Sequence, residues 1–101
     1  MTKQRSVAKA TLMNYHALVE RQYKGDIDAI CTLVDLLTAV ELAGLTDRQR
    51  QALELVYGED LTQKVAGERM GIAQDAVAHL LRRATDSIDN VYLKWAEAER
   101  E

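Results

Sequence analysis

The chain has 101 residues, of which 48% are hydrophobic and 29% are charged, with a formal net charge of −3. This length is typical of one domain, and the apolar fraction is too high for a disordered chain. The chain has no proline and only five glycines, which excludes the turn chemistry of most all-β proteins. We therefore expect long helices joined by short connections.

The reactive side chains form no recognisable catalytic or metal site. The single cysteine, Cys31, cannot form an internal disulfide, and it shares no ligand spacing with the two histidines. We find neither a nucleophile–base arrangement nor a glycine-rich phosphate loop. The sequence thus predicts no enzyme activity, no cofactor and no metal. The absence of a signal-peptide pattern and of an uninterrupted apolar segment favours a cytoplasmic protein without a membrane contact.

Two helices are predicted in the first part of the chain. Apolar residues recur at steps of three or four over residues 6–23, which indicates the first helix. Gly25 ends it, and Asp26 is a suitable N-cap for a second helix over about residues 27–43. The second helix is apolar on nearly its whole circumference. We therefore expect it to be the central helix of the fold or part of a dimer interface.

Two shorter helices follow. Thr46 begins a capping-box pattern for a third helix over about residues 47–57, and Gly58 is expected to close it in the C′ position. Thr62 caps a short fourth helix that ends near Met70.

The fifth helix begins near Gln74, after a turn at Gly71, and is predicted to be long. Its apolar residues are spaced 4-3-4-3-4, which favours packing against the first two helices. They are Val77, Leu81, Ala84, Ile88, Val91 and Trp95. The predicted fold class is all-α, a five-helix domain with a C-terminal helix-turn-helix and a long last helix.

The helix-turn-helix is predicted from residues 62–84. Ala66 and Gly67 are small enough for two helices to cross closely, and Gly71 supplies the positive φ that the turn requires. Val77 and Leu81 lie on the inner face of the second helix. An ordinary helical hairpin with a glycine turn is the alternative reading of the same pattern.

Charge is distributed unevenly along the chain. Residues 1–24 carry five basic residues against one acidic residue, and residues 62–84 carry four against two. Residues 25–45 carry four acidic residues and no basic one, and the last segment is acidic as well. An anionic partner is therefore expected to contact the two basic zones.

Three stretches, which follow one another along the chain, resemble a known family. They are Leu45–Tyr57 (LTDRQRQALELVY), Leu61-Thr62, and Met70-Gly71-Ile72 through Leu81-Arg82-Arg83-Ala84. Together, over residues 45–88, they look like region four of bacterial sigma factors, which reads the upstream promoter element. Similar domains occur in small phage-encoded transcription regulators. The resemblance implies that a recognition helix enters the major groove of double-stranded DNA, with RNA polymerase as a second expected partner.

The resemblance divides the single domain, residues 1–101, into three parts. Residues 1–44 are a helical N-terminal part with an expected role in oligomerisation, residues 45–88 are the sigma-like segment, and residues 89–101 extend the last helix.

The exposed positions of the motif supply candidate DNA contacts. Gln74 is suited to an adenine edge, Arg82 to guanine or phosphate, and Asp75 to a cytosine amino group. Lys64 and Arg83 are placed for phosphate contacts, which position the protein without reading sequence. The full predicted set is Arg48, Arg50, Thr62, Lys64, Gln74, Asp75, Ala78, His79, Arg82 and Arg83.

Four positions depart from the family pattern. Asp75 and Ala76 stand at early recognition-helix positions that are often filled by side chains contacting phosphates or bases. Ala73 stands where serine is common and cannot cap the recognition helix. Gly67 stands where alanine is usual, which is expected to cost its helix up to ~1 kcal/mol.

The sequence thus favours a sequence-specific transcription regulator of phage or prophage type. It is expected to be a homodimer that pairs through the second helix and the seam of residues 77–95. One alternative is the DNA-recognition (small) subunit of a phage packaging terminase. Another is a protein-interaction module that binds RNA polymerase without binding DNA, which Asp75 and the net negative charge favour.

Overall fold

A computed structural model describes residues 6–99, which contain helices and no strand. The six α-helices are α1 (Val7–Met13), α2 (Tyr15–Tyr23), α3 (Ile27–Leu42), α4 (Asp47–Leu53), α5 (Gln63–Met70) and α6 (Gln74–Glu99). A single π-helical turn, Glu54–Gly58, continues α4. The predicted all-α class with a helix-turn-helix and a long last helix is confirmed.

The first predicted helix is two helices, so the expected number of five is wrong. The break lies at Asn14, whose φ of −99° and ψ of 10° leave the helical region. The backbone N–H of Asn14 donates to the carbonyl oxygen of Thr11 at 3.1 Å and closes α1. The two helices pack on different neighbours, α1 mainly on α6 and α2 mainly on α3. The chain therefore bends where asparagine, a weak helix former, stands.

Hydrogen bonds to one α6 carboxylate fix the start of α1. Ser6 Oγ donates to Asp89 Oδ2 at 2.6 Å, and the backbone N–H of Ala8 donates to Asp89 Oδ1 at 2.8 Å. Ser6 Oγ also accepts from the backbone N–H of Lys9 at 2.9 Å. Because Ala8 is fully buried, α1 is fixed to α6 by both hydrogen bonds and packing.

One prediction made α3 the central helix of the fold, and that prediction is wrong. Only one of its faces is buried, through Ala29, Leu33, Leu36 and Ala39. The other face carries apolar side chains spaced 3-4-3, and 73% of Ile27, 56% of Val34 and 57% of Leu37 are exposed. Its neighbours in the fold, chiefly α2 and α6, cover one side alone. We call Ile27, Ile30, Val34 and Leu37 the α3 stripe.

The end of α4 also differs from the prediction. Gly58 does not adopt a left-handed C′ conformation; instead Asp60 has a positive φ of 59°. In the π-helical turn the N–H of Glu59 donates to the carbonyl oxygen of Glu54 at 2.8 Å, one residue further back than in an α-helix. Leu55 of this turn is buried in the core, and Val56 is half-buried.

The helix α6 forms the centre of the fold and contacts α1, α3, α4 and α5. Val77, Ala84 and Ile88 are fully buried, and Val91 and Trp95 pack at the edge of the same core. Packing on the first helices, predicted from the 4-3-4-3-4 spacing, is confirmed. The apolar seam of residues 77–95 is thus internal. It is not available as part of a dimer surface, which was the other prediction for it. Within residues 6–99, no helix combines the length and hydropathy needed to cross a bilayer.

Candidate nucleic-acid interface

The helices α5 and α6 meet in a helix-turn-helix whose ends are set by local hydrogen bonds. Thr62 Oγ1 accepts from the backbone N–H of Val65 at 3.2 Å and caps α5. At the other end Gly71 is left-handed, with φ 71° and ψ 30°. The N–H of Ile72 then donates to the carbonyl oxygen of Gly67 at 2.9 Å, as in a Schellman motif. The turn places Gln74 at the start of α6.

Gly67 lies against the turn that follows α5 and the first residues of α6. A Cβ atom at this position would lie 2.7 Å from the carbonyl oxygen of Ile72 and 3.4 Å from Cγ2 of Val77. The first distance is well below van der Waals contact, so the glycine is required by the crossing. The departure from the family pattern at residue 67 therefore has a packing reason that outweighs the loss of helix propensity.

One face of α6 is polar and open. Gln74, Asp75, His79, Arg82 and Arg83 are exposed, whereas Val77, Leu81 and Ala84 are buried, and Leu80 is half-buried. Apart from Ala78, the inner and outer positions are those that the sequence predicted. Ala78, predicted to be open, is half-buried at the border of the two faces.

A cleft lined by both polar and apolar side chains lies beside this face, and its composition was not predicted from the sequence. Ala78, Arg82 and Asp86 of α6 line it, together with Lys9 of α1 and Gln63 of α5. We call it the α1–α6 cleft. Tyr57 also lines it, and burial raises the pKa of its hydroxyl above the ordinary value. The charge pattern marked residues 1–24 as basic, but without the fold no residue there could be placed next to α6.

The predicted contacts on α4 lie on different sides of that helix. Arg48 is next to the turn, since its Nη1 donates to the carbonyl oxygen of Met70, the last residue of α5, at 3.3 Å. Arg50 instead lines an apolar cleft together with Leu36 and Leu53. The structure thus brings Arg48 close to the helix-turn-helix, and it places Arg50 against α3. Thr62 and Lys64, at the start of α5, are exposed next to the α1–α6 cleft residue Gln63.

The start of α6 offers a simple stability test. Ala73 stands immediately before the helix and has no side-chain acceptor for the first N–H groups. Ala73→Ser is expected to stabilise the fold by about 1 kcal/mol, which raises Tm by about 4–8 °C in a domain of this size. Thermal unfolding followed by circular dichroism measures the shift. An unchanged or lowered Tm would show that the first turn of α6 gains nothing from the hydroxyl.

The fold and the open polar face define a class, the all-α helix-turn-helix proteins with a long second helix. Residues 42–88, nearly half of the chain, match the family model for sigma-70, region 4. This segment is a sigma-factor region-4-like helix-turn-helix, and a match of this kind suggests a DNA-binding domain. In comparisons with curated proteins and with solved structures, nothing matches the chain at a significant level.

Proposed function

We propose that the protein is a transcription regulator that recognises a specific duplex sequence by placing the first half of α6 in the major groove. The observation that carries this proposal is the tight crossing at Gly67. It fixes α6 against α5 with the inner residues buried and the polar face free. In helix-turn-helix proteins, the second helix reads base edges with residues near its N-terminus.

The exposed side chains divide by chemistry into base-reading and phosphate-binding groups. Gln74 has the amide that pairs with an adenine edge, and Arg82 has the guanidinium that pairs with guanine. Asp75 accepts from a cytosine amino group in the same groove. Lys64 and Arg83 bind phosphates and set the position of the protein on the duplex.

Selection of bound sequences from a random duplex pool tests the proposal. We expect an enriched motif of two half-sites related by a palindrome. A single half-site would indicate that one copy acts alone or together with RNA polymerase. If nothing is enriched at low salt, the protein is not a sequence reader, and the interaction module that binds RNA polymerase becomes the better account. The exposed carboxylate of Asp75 on the reading face is the observation that favours this second function.

We further propose that the regulator is a homodimer that pairs through the α3 stripe. Apolar residues exposed along one helix face are typical of an interaction surface. A two-fold axis would cover the same stripe on both copies. Since α3 lies outside the helix-turn-helix, this pairing leaves both α6 helices free, and it sets the spacing of the two half-sites.

The dimer is tested by placing a charge on the stripe. Val34→Asp is expected to convert a dimer into a monomer in light scattering, because the carboxylate would be buried in the interface. Gln22→Asp, an exposed change on α2, is the control and is expected to leave the dimer intact. A monomeric wild type, or a Val34→Asp variant that stays dimeric, contradicts the proposed pairing. A ring-sized assembly would instead favour a terminase small subunit.

A further inference from the structure

A lysine outside the family-matched segment lies beside the recognition helix. Lys9 belongs to α1, yet it lines the α1–α6 cleft together with Arg82 and Gln63. The backbone of Lys9 is fixed by local hydrogen bonds. The backbone N–H of Lys9 donates to Ser6 Oγ, and that of Ala8 donates to Asp89 Oδ1 of α6. The cation is therefore attached to a helix that packs on α6.

The side chains that line the cleft carry two positive charges and one negative charge. Neither Lys9 nor Arg82 forms an ion pair within residues 6–99. Asp86 is the carboxylate that lines the cleft, and Asp89 nearby already accepts hydrogen bonds from Ser6 and Ala8. Two cations and one carboxylate line the cleft, and the carboxylate of Asp89, which keeps its charge when it accepts these hydrogen bonds, lies next to it.

We propose that Lys9 binds a backbone phosphate of the duplex whose major groove receives α6. This inference rests on the proposed DNA binding and extends the interface beyond residues 42–88 into α1. The cleft borders the reading face through Ala78 and Arg82, so a strand that passes alongside α6 comes within reach of α1. A lysine there adds sequence-independent affinity and fixes how α6 is oriented in the groove.

The test compares the salt dependence of DNA binding in matched lysine variants. Wild type, Lys9→Ala, Lys9→Arg and Lys24→Ala are titrated with one labelled duplex between 50 and 200 mM salt, where the duplex is the sequence selected from the random pool. Each phosphate contact contributes about 0.9 to the slope of log K against log salt. Over this fourfold range, wild type is therefore expected to lose about three- to fourfold more affinity than Lys9→Ala.

The two other variants give the contrast. Lys9→Arg is expected to keep the wild-type slope, and so is Lys24→Ala, which removes an exposed charge outside the cleft. An unchanged slope in Lys9→Ala overturns the assignment, and so does an equal decrease in Lys24→Ala, which would point to a diffuse charge effect. If wild type binds no duplex at 50 mM salt, the proposed function itself is wrong. That outcome is distinct from the two results that overturn only the assignment of Lys9.

Discussion

Gly67→Ala is expected to destabilise the fold by about 1–3 kcal/mol, the usual cost of an added methyl group in a tight core. The new Cβ would lie 2.7 Å from the backbone carbonyl oxygen of Ile72. A backbone oxygen in a closed turn cannot move aside as a flexible side chain does, so the turn between α5 and α6 must shift. Alanine gains up to ~1 kcal/mol of helix propensity over glycine, and the clash is expected to exceed that gain.

Thermal and urea unfolding measure this effect, with Gly58→Ala as the control. A Cβ at Gly58 meets nothing within 4 Å, and its φ is not positive. We expect Gly58→Ala to leave the free energy of unfolding unchanged or to raise it by up to ~1 kcal/mol, and Gly67→Ala to lower Tm by several degrees. If Gly67→Ala is as stable as wild type, the two helices do not cross as closely as described, and the exposed face of α6 is not fixed by this crossing.

Arg82→Ala is expected to change which DNA sequence is preferred. Arg82 is exposed on α6 at the border of the α1–α6 cleft. A bidentate arginine–guanine contact discriminates against other bases by about 1–3 kcal/mol, which corresponds to about 5- to 150-fold in affinity. Selection from a random pool with the variant is therefore expected to lose the preference for guanine at one position of each half-site.

Lys64→Ala is the matched comparison for that experiment. It removes a basic side chain at the start of α5, and we expect it to weaken all sequences alike while the selected motif stays the same. The same motif with Arg82→Ala as with wild type would show that Arg82 binds phosphate or solvent. In that case Gln74 and Asp75 would carry the base readout without it.

The helix-turn-helix was predictable because its determinants are local. Thr62 caps α5, Gly71 provides the left-handed turn, and the spacing of Val77 and Leu81 gives the inner face of α6. Each of these depends on a few neighbouring residues, and the structure keeps every one. The need for glycine at residue 67 was not local, since it comes from the carbonyl oxygen of Ile72 across the turn.

The features that sequence reasoning missed depend on tertiary contacts. The spacing of apolar residues runs through Asn14 without interruption, and the break appears because α1 and α2 pack on different helices. The pattern of α3 does not reveal which apolar residues the fold covers, so the exposure of Val34 required the structure. Lys9 was one of several basic residues near the N-terminus. Its place beside α6 depends on Asp89, which is 80 residues further along the chain.

One affinity ratio, measured at physiological salt, tests the central claim most directly. It compares the affinity for the selected duplex with the affinity for a scrambled duplex of equal length. If α6 reads sequence in the major groove, the selected duplex is expected to bind at least about 10³-fold more tightly. Equal affinity for the two duplexes, or no binding of either at low salt, would contradict recognition of a specific site by this protein.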